Sequence, residues 1–277
     1  MDSLRNILVP TDFSACSKQA IRFALQIARL SGARLILYHA VHPPVSTSVS
    51  IMINKLIRQM RLDAERDLKQ LLLNMPELQQ VAPQIILEAG FMEDRLPELI
   101  AQHEVDLVVM GTRGASKGIA SVLGSNTTRV IEQVTCPVLA VPEKASLAPI
   151  RRILFATDYE PVPSEKVIAP LVKLAQIFDA EITVLKVDEE ERGALTMTET
   201  LGKVRLQLYF DRVRSSYHLT THEDVAEGIE DYIRMYPIEM LAMMPRRHTV
   251  FERLFKESHT RRMALHTNYP LLTFRAS

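Results

Sequence analysis

Leu107 to Arg129 reads LVVMGTRGASKGIASVLGSNTTR, and its reading decides the fold. A short apolar run, Leu107 to Met110, gives way to four glycines within the next fourteen positions, at 111, 114, 118 and 124. A continuous apolar run of this length is the pattern of a strand buried on both faces. The glycines after it allow positive φ and a close approach of backbone to ligand, because no Cβ intervenes. From Ser125 the sequence SNTTRVIE places small hydroxyl and amide residues where a helix cap belongs. The unpaired N–H groups of a helix start and the positive end of its dipole form an anion site, so the expected occupant is a phosphate.

Spacing excludes two phosphate motifs. A P-loop requires Gly-x4-Gly-Lys-Ser/Thr, whereas Lys117 follows Ser116 and precedes Gly118; the dinucleotide Gly-x-Gly-x-x-Gly is also absent. Gly114-Ala115-Ser116-Lys117-Gly118 fits the Gly-x-Ser-x-Gly elbow of serine hydrolases, but that elbow follows its strand directly and here the strand ends at Met110. What remains is Gly111-x2-Gly114-x9-Gly124-Ser125. At these residues the chain resembles the universal stress protein family, whose nucleotide-binding branch carries Gly-x2-Gly-x9-Gly-Ser/Thr after the fourth strand.

The flanking sequence extends the α/β pattern in both directions. Ile7 to Pro10 is a second apolar run, ending in Thr11-Asp12-Phe13-Ser14, whose oxygens can turn the chain and cap the next helix. Ile21, Ala24, Leu25 and Ala28 recur at helical spacing from Ser17 to Leu30, Ser31-Gly32 stops the helix, and Leu35 to Tyr38 is the next strand. His42 to Ser48 reads as a loop. After it come a helix from about Met52 to Leu73, a strand at Ile85–Leu87, a helix from about Asp94 to His103, and a fifth strand at Pro137 to Val141. Such alternation predicts a parallel sheet with helices on both faces, whose ligands collect at the carboxyl ends of the strands. Pro10-Thr11-Asp12, His39-Ala40-Val41 and Met110-Gly111 would then share one crevice.

Lys144 to Pro149 reads as a linker, and beyond it the pattern restarts. Arg152-Ile-Leu-Phe-Ala-Thr-Asp158 echoes Asn6-Ile-Leu-Val-Pro-Thr-Asp12 at an offset of 146, and Glu239 to Phe274 aligns on Asp106 to Val141 at an offset of 133. The chain is an internal duplication, with domains expected at 1–146 and 147–277. In the second copy Met244, Arg247, Phe251 and Glu257 stand opposite the four glycines, and only Ser258 matches its counterpart. Side chains there, and a carboxylate at the phosphate position, predict that the second domain binds no nucleotide in the first domain's manner. Residues 246–256 are expected to form an amphipathic helix over the vacated crevice, with Phe251, Leu254 and Phe255 inward and basic residues outward.

Composition bounds the rest. The 277 residues carry 33 basic and 33 acidic side chains and are 47% hydrophobic, ample for two cores and without a global bias toward nucleic acid. Cys16 and Cys136 are the only cysteines and form no metal-ligand spacing with histidine, so neither a disulfide nor a structural zinc is expected; Cys16 reads as a small buried residue. No apolar run is long enough to span a bilayer and no leader pattern opens the chain, so a cytoplasmic protein without membrane contact is expected.

The resemblance implies two tandem Rossmann-like domains of the adenine nucleotide alpha hydrolase-like type, each a five-stranded parallel sheet flanked by helices. It implies ATP as ligand, with ADP or AMP as alternatives and Mg²⁺ carried by the phosphates, in a nucleotide-dependent regulator or sensor of the stress response. By position it assigns nucleoside contact to Pro10, Thr11 and Asp12, adenine contact to Ala40, and ribose and phosphate contact to Met110, Gly111, Gly114, Gly124, Ser125 and Asn126. Arg113 and Lys117 stand where they can pair with phosphate oxygens, and His39 and His42 read as packing or loop residues. Asp12 alone also reads as a turn carboxylate, because Asp158 persists where the glycines are lost. The fifth strands are expected to pair across a pseudo-two-fold inside one chain, with a further homodimer left open. Two rival functions are a slow ATPase and a nucleotide-independent interaction module that uses the basic helix to hold a protein partner.

Overall fold

Apolar runs of four or five residues cannot satisfy their backbone alone, and here they do so in a single sheet. The computed structural model describes residues 4–42, 50–113, 124–191, 194–244 and 269–275. In the first half β1 (Asn6–Pro10), α1 (Ala15–Ser31), β2 (Arg34–Val41), α2 (Ser50–Asn74), α3 (Pro76–Val81), β3 (Gln84–Ala89), α4 (Met92–Gln102), β4 (Leu107–Gly111), α5 (Ser125–Gln133) and β5 (Val138–Val141) follow one another. The second half runs β6 (Arg152–Ala156), α6 (Glu165–Phe178), β7 (Glu181–Asp188), α7 (Met197–Tyr209), β8 (Ser215–Thr221), α8 (Val225–Met235), β9 (Met240–Met243) and β10 (Leu271–Thr273). Pro76 opens α3, a break that helical periodicity does not reveal.

The strands form one ten-stranded sheet in the order β3-β2-β1-β4-β5-β10-β9-β6-β7-β8. Within each half the neighbours are parallel, as the alternation predicts; the seam between β5 and β10 is antiparallel, with Leu272 opposite Leu139. The fifth strands therefore adjoin, as expected of an internal pseudo-dimer. Alternate residues of each strand face opposite layers: Ile7 and Val9 join one core with Ile153 and Phe155, whereas Leu8 joins the other with Leu154. Both cores run through both halves, and α1 touches α6 across the seam.

The duplication is visible atom by atom. Asp106 accepts from the N–H groups of Arg5 and Asn6 at 2.7 and 3.0 Å, and Glu239 accepts from those of Arg151 and Arg152 at 3.1 and 2.8 Å. Each carboxylate ties the start of the fourth strand of its half to the start of the first, so both sequence offsets correspond to equivalent positions. The connection at 144–149, read as a linker, is held to the first half. Ala145 is buried and its carbonyl accepts from Gln19 Nε2 at 2.6 Å, and Ile150 is buried behind it. A segment whose composition is that of a linker is thus fastened to α1.

Candidate functional site

The carboxyl end of β1 turns sharply into α1. Phe13 sits at φ 62°, a left-handed conformation, and its N–H donates to Thr11 Oγ1 at 3.1 Å. Asp12 Oδ1 accepts from Ser14 N at 3.1 Å, and Ser14 caps α1 by accepting from Ser17 N at 3.2 Å. The second half repeats this turn: Tyr159 has φ 60°, its N–H donates to Thr157 Oγ1 at 3.2 Å, and Asp158 Oδ1 accepts from Glu160 N at 3.0 Å. The turn role of Asp12 is therefore shared by both halves.

At the end of β2, His39 lies against the same turn. Its Nδ1 is 2.7 Å from the Thr11 carbonyl and its ring stacks on Phe13 at 4.6 Å. A carbonyl only accepts, so Nδ1 carries the hydrogen, and in the neutral ring Nε2 is left as an acceptor. His42 makes the matching contact one turn of the pleat further on, with Nδ1 3.1 Å from the Gly90 carbonyl. Tyr38, beneath them, is buried, and burial pushes its phenol up to about 12.

The glycines of the organising stretch have different causes. A Cβ on Gly111 would lie 2.9 Å from Cys16 Sγ and 3.0 Å from the Cys16 carbonyl carbon, so the first turn of α1 is what demands a glycine there. Gly124 donates its N–H to the Thr112 carbonyl at 2.6 Å, and a Cβ there would stand 3.2 Å from that same oxygen. The Gly124 N–H is thus used within the protein. The groups left without an i−4 partner are the N–H groups of Ser125, Asn126 and Thr127, the first turn of α5. Thr127 Oγ1 donates to the Gly111 carbonyl at 2.9 Å, which pins this turn to the end of β4.

These elements enclose a cavity of 310 Å³. Of the residues predicted from sequence, Pro10, Thr11, Asp12, Ala40, Met110, Gly111, Gly124, Ser125 and Asn126 all line it, and Gly114 lies outside the described residues, as do Gly118 and Lys117. The cavity adds Ser17, Tyr38, His39, His42, Met92, Arg113 and Thr127, of which the sequence marks only Arg113 as a ligand group. Asp12 is the carboxylate of the described lining, which also holds Arg113 and the two histidines. Met92 arrives from the start of α4, far away in sequence, and only the topology brings it here. Among the described residues no group of three or more histidine, cysteine or carboxylate side chains could hold a metal. No described helix is long and apolar enough to cross a membrane.

The universal stress protein family model matches the chain twice, over residues 3–142 and 149–275. The chain belongs to the universal stress protein family. Universal stress protein Slr1230 of Synechocystis sp. is 25% identical over 300 residues, covering 98% of this chain and 100% of the relative. A universal stress protein of Thermus aquaticus is 31% identical over 143 residues, covering 50% of this chain and 98% of its own. Among solved structures, a universal stress protein of Archaeoglobus fulgidus shares the fold with a TM-score of 0.70, covering 99% of this chain and 97% of its own at 14% identity.

At the corresponding strand end of the second universal stress protein domain, the described side chains pair with one another. Strand register pairs Pro10 with Tyr38 and Ala156 with Leu185, so Lys186 answers His39 and Val187 answers Ala40. Lys186 is buried; its Nζ donates to Asp188 Oδ1 and lies 3.2 Å from Glu199 Oε1 on α7. Burial alone would raise the Glu199 carboxyl, but hydrogen bonds from the Thr196 backbone and side chain and from Lys186 outweigh it and hold it below its usual range. Helix α7 also presses on the first turn: a Cβ on Gly202 would fall 1.7 Å from the Tyr159 carbonyl oxygen. The loop positions Arg247, Phe251, Glu257 and Ser258 and the predicted helix at 246–256 lie outside the described residues.

Proposed function

We propose that this universal stress protein binds one adenine nucleotide per chain, ATP or its diphosphate or monophosphate, in the first domain, and acts as a nucleotide-dependent regulator of the stress response. The observation that carries this reading is the convergence of three strand ends on the open first turn of α5, behind a loop with the family's glycine spacing. In this reading the N–H groups of Ser125 and Asn126, with the Ser125 hydroxyl, hold phosphate, and Arg113 adds a bidentate cation. Ala40 and Met110 flank the base, and Thr11 and Asp12 reach the nucleoside. The volume of 310 Å³ falls at the small end of ligand sites, which suits a base and ribose held inside with phosphates toward the loop. Mg²⁺ comes with the phosphates, and Asp12 is the side chain placed to meet it or its waters. The domain division falls at 146 and 147, and the cytoplasm, which holds adenine nucleotides, is the compartment this reading requires.

Calorimetric titration of nucleotide-stripped protein with Mg·ATP tests the proposal. One site per chain, lost in Gly124→Glu, is the expected result. That substitution adds a carboxylate to the phosphate position and places side-chain atoms against the Thr112 carbonyl. Absence of binding to Mg·ATP, ADP and AMP by a folded protein overturns it, and two sites per chain overturn the inactive second domain.

A further inference from the structure

Helix α7 is apolar on both sides. Toward the sheet it buries Gly202 and Leu206. Toward solvent it presents Met197, Leu201, Val204 and Leu208, which are 82%, 56%, 46% and 67% exposed. Leu219 of β8, 50% exposed, lies on the sheet face that α7 covers, because its register partner Lys186 faces α7 and parallel neighbours share a face. A soluble surface seldom leaves four large apolar side chains in one row, and such a row marks a contact.

The spacing of the row selects the occupant. Steps of four, three and four residues place Met197 and Val204 at d and Leu201 and Leu208 at a of a heptad, and the series reads the same in reverse. Two copies related by a two-fold therefore set Met197 against Leu208 and Leu201 against Val204, every apolar residue meeting an apolar residue. The flanks agree: antiparallel pairing puts Thr198 opposite Arg205 and Thr200 opposite Gln207, with no like charges facing. We propose that α7 pairs with α7 of a second copy of this chain, forming an antiparallel two-helix seam. One helix stripe plus Leu219 covers less than the roughly 800 Å² per partner of a standard stable interface, so the dimer is micromolar and responds to concentration. The proposal is independent of the nucleotide reading.

Sedimentation of the full chain over a concentration series is the test. A reversible monomer–dimer equilibrium is expected, weakened about 100-fold or more by Leu201→Glu with Leu208→Glu, because four apolar contacts per dimer are replaced. Both side chains are exposed, so the melting temperature of the variant monomer stays that of the parent. Thr198→Glu, facing Arg205, tightens the dimer about threefold, and Thr198→Lys weakens it by a similar factor. Under mild oxidation Leu201→Cys forms a disulfide with Val204→Cys in a mixture of the two variants, in preference to either with itself. A chain that stays monomeric throughout overturns the proposal. So does a dimer indifferent to the double substitution, or one in which Leu201→Cys links chiefly to itself.

Discussion

Gly111 and Asp12 each hold the fold together at the edge of the cavity, apart from the ligand contacts proposed for them. The Cβ of Gly111→Ala would press on both Cys16 Sγ and the Cys16 backbone. Because one of those neighbours is main chain, α1 must shift, and the substitution is expected to cost about 1–3 kcal/mol in denaturant unfolding whether or not nucleotide is present. Asp12→Asn separates the two roles of that side chain. An amide oxygen still accepts from Ser14 N–H, so stability should move by less than about 0.5 kcal/mol. The lost charge should weaken Mg·ATP binding about tenfold in calorimetry. Unchanged affinity would leave Asp12 a turn residue, like Asp158.

At the scale of elements, α7 is held by charge where the first half has a cavity wall. Lys186→Met keeps the packed stem but leaves Asp188 and Glu199 as neighbouring carboxylates, an expected loss of about 3 kcal/mol at neutral pH. The pH dependence has a definite sign. In the parent, the lowered Glu199 contributes stability above its ordinary value near 4.5, and that stability is lost as pH falls through the folded value. In the variant the two carboxyls are easier to protonate, so its deficit shrinks in acid, and urea midpoints of parent and variant should converge there. A deficit constant from neutral pH into acid would mean that packing, not charge, holds the helix.

The elements themselves were legible in the sequence, and for physical reasons. Buried parallel strands must be continuously apolar, so Ile7–Pro10 and Leu107–Met110 announce themselves, and helix stops at Gly32 need the left-handed φ of 73° found there. Nine of the ten residues predicted for the site line the cavity, because strand ends in such a sheet share one edge. What spacing cannot show is which distant group approaches a glycine. Gly111 meets Cys16, and Gly124 turns its N–H to Thr112, and neither partner is implied by the loop motif. The approach of Met92 to the cavity stayed hidden for the same reason, and so did the hold of Gln19 on Ala145.

At the scale of the whole molecule, two cores cross the seam between β5 and β10, so the halves cannot melt independently. Probes placed in either half should report one coincident denaturant transition. Leu139→Asp, which puts a carboxylate opposite fully buried Leu272, should lower the midpoint seen by both. Two separated transitions would show that the sheet is continuous in geometry alone.

The same seam joins two parts of a single polypeptide, and this has a consequence for dilution. Two separate chains paired in this way would come apart as their concentration fell. Here the pairing is intramolecular, and the tether that includes Gln19's grip on Ala145 supplies a local concentration no cell-wide change can alter. The second half therefore completes the ten-stranded sheet at any dilution. A molecule joined in this way can persist at a few copies per cell as intact as at thousands.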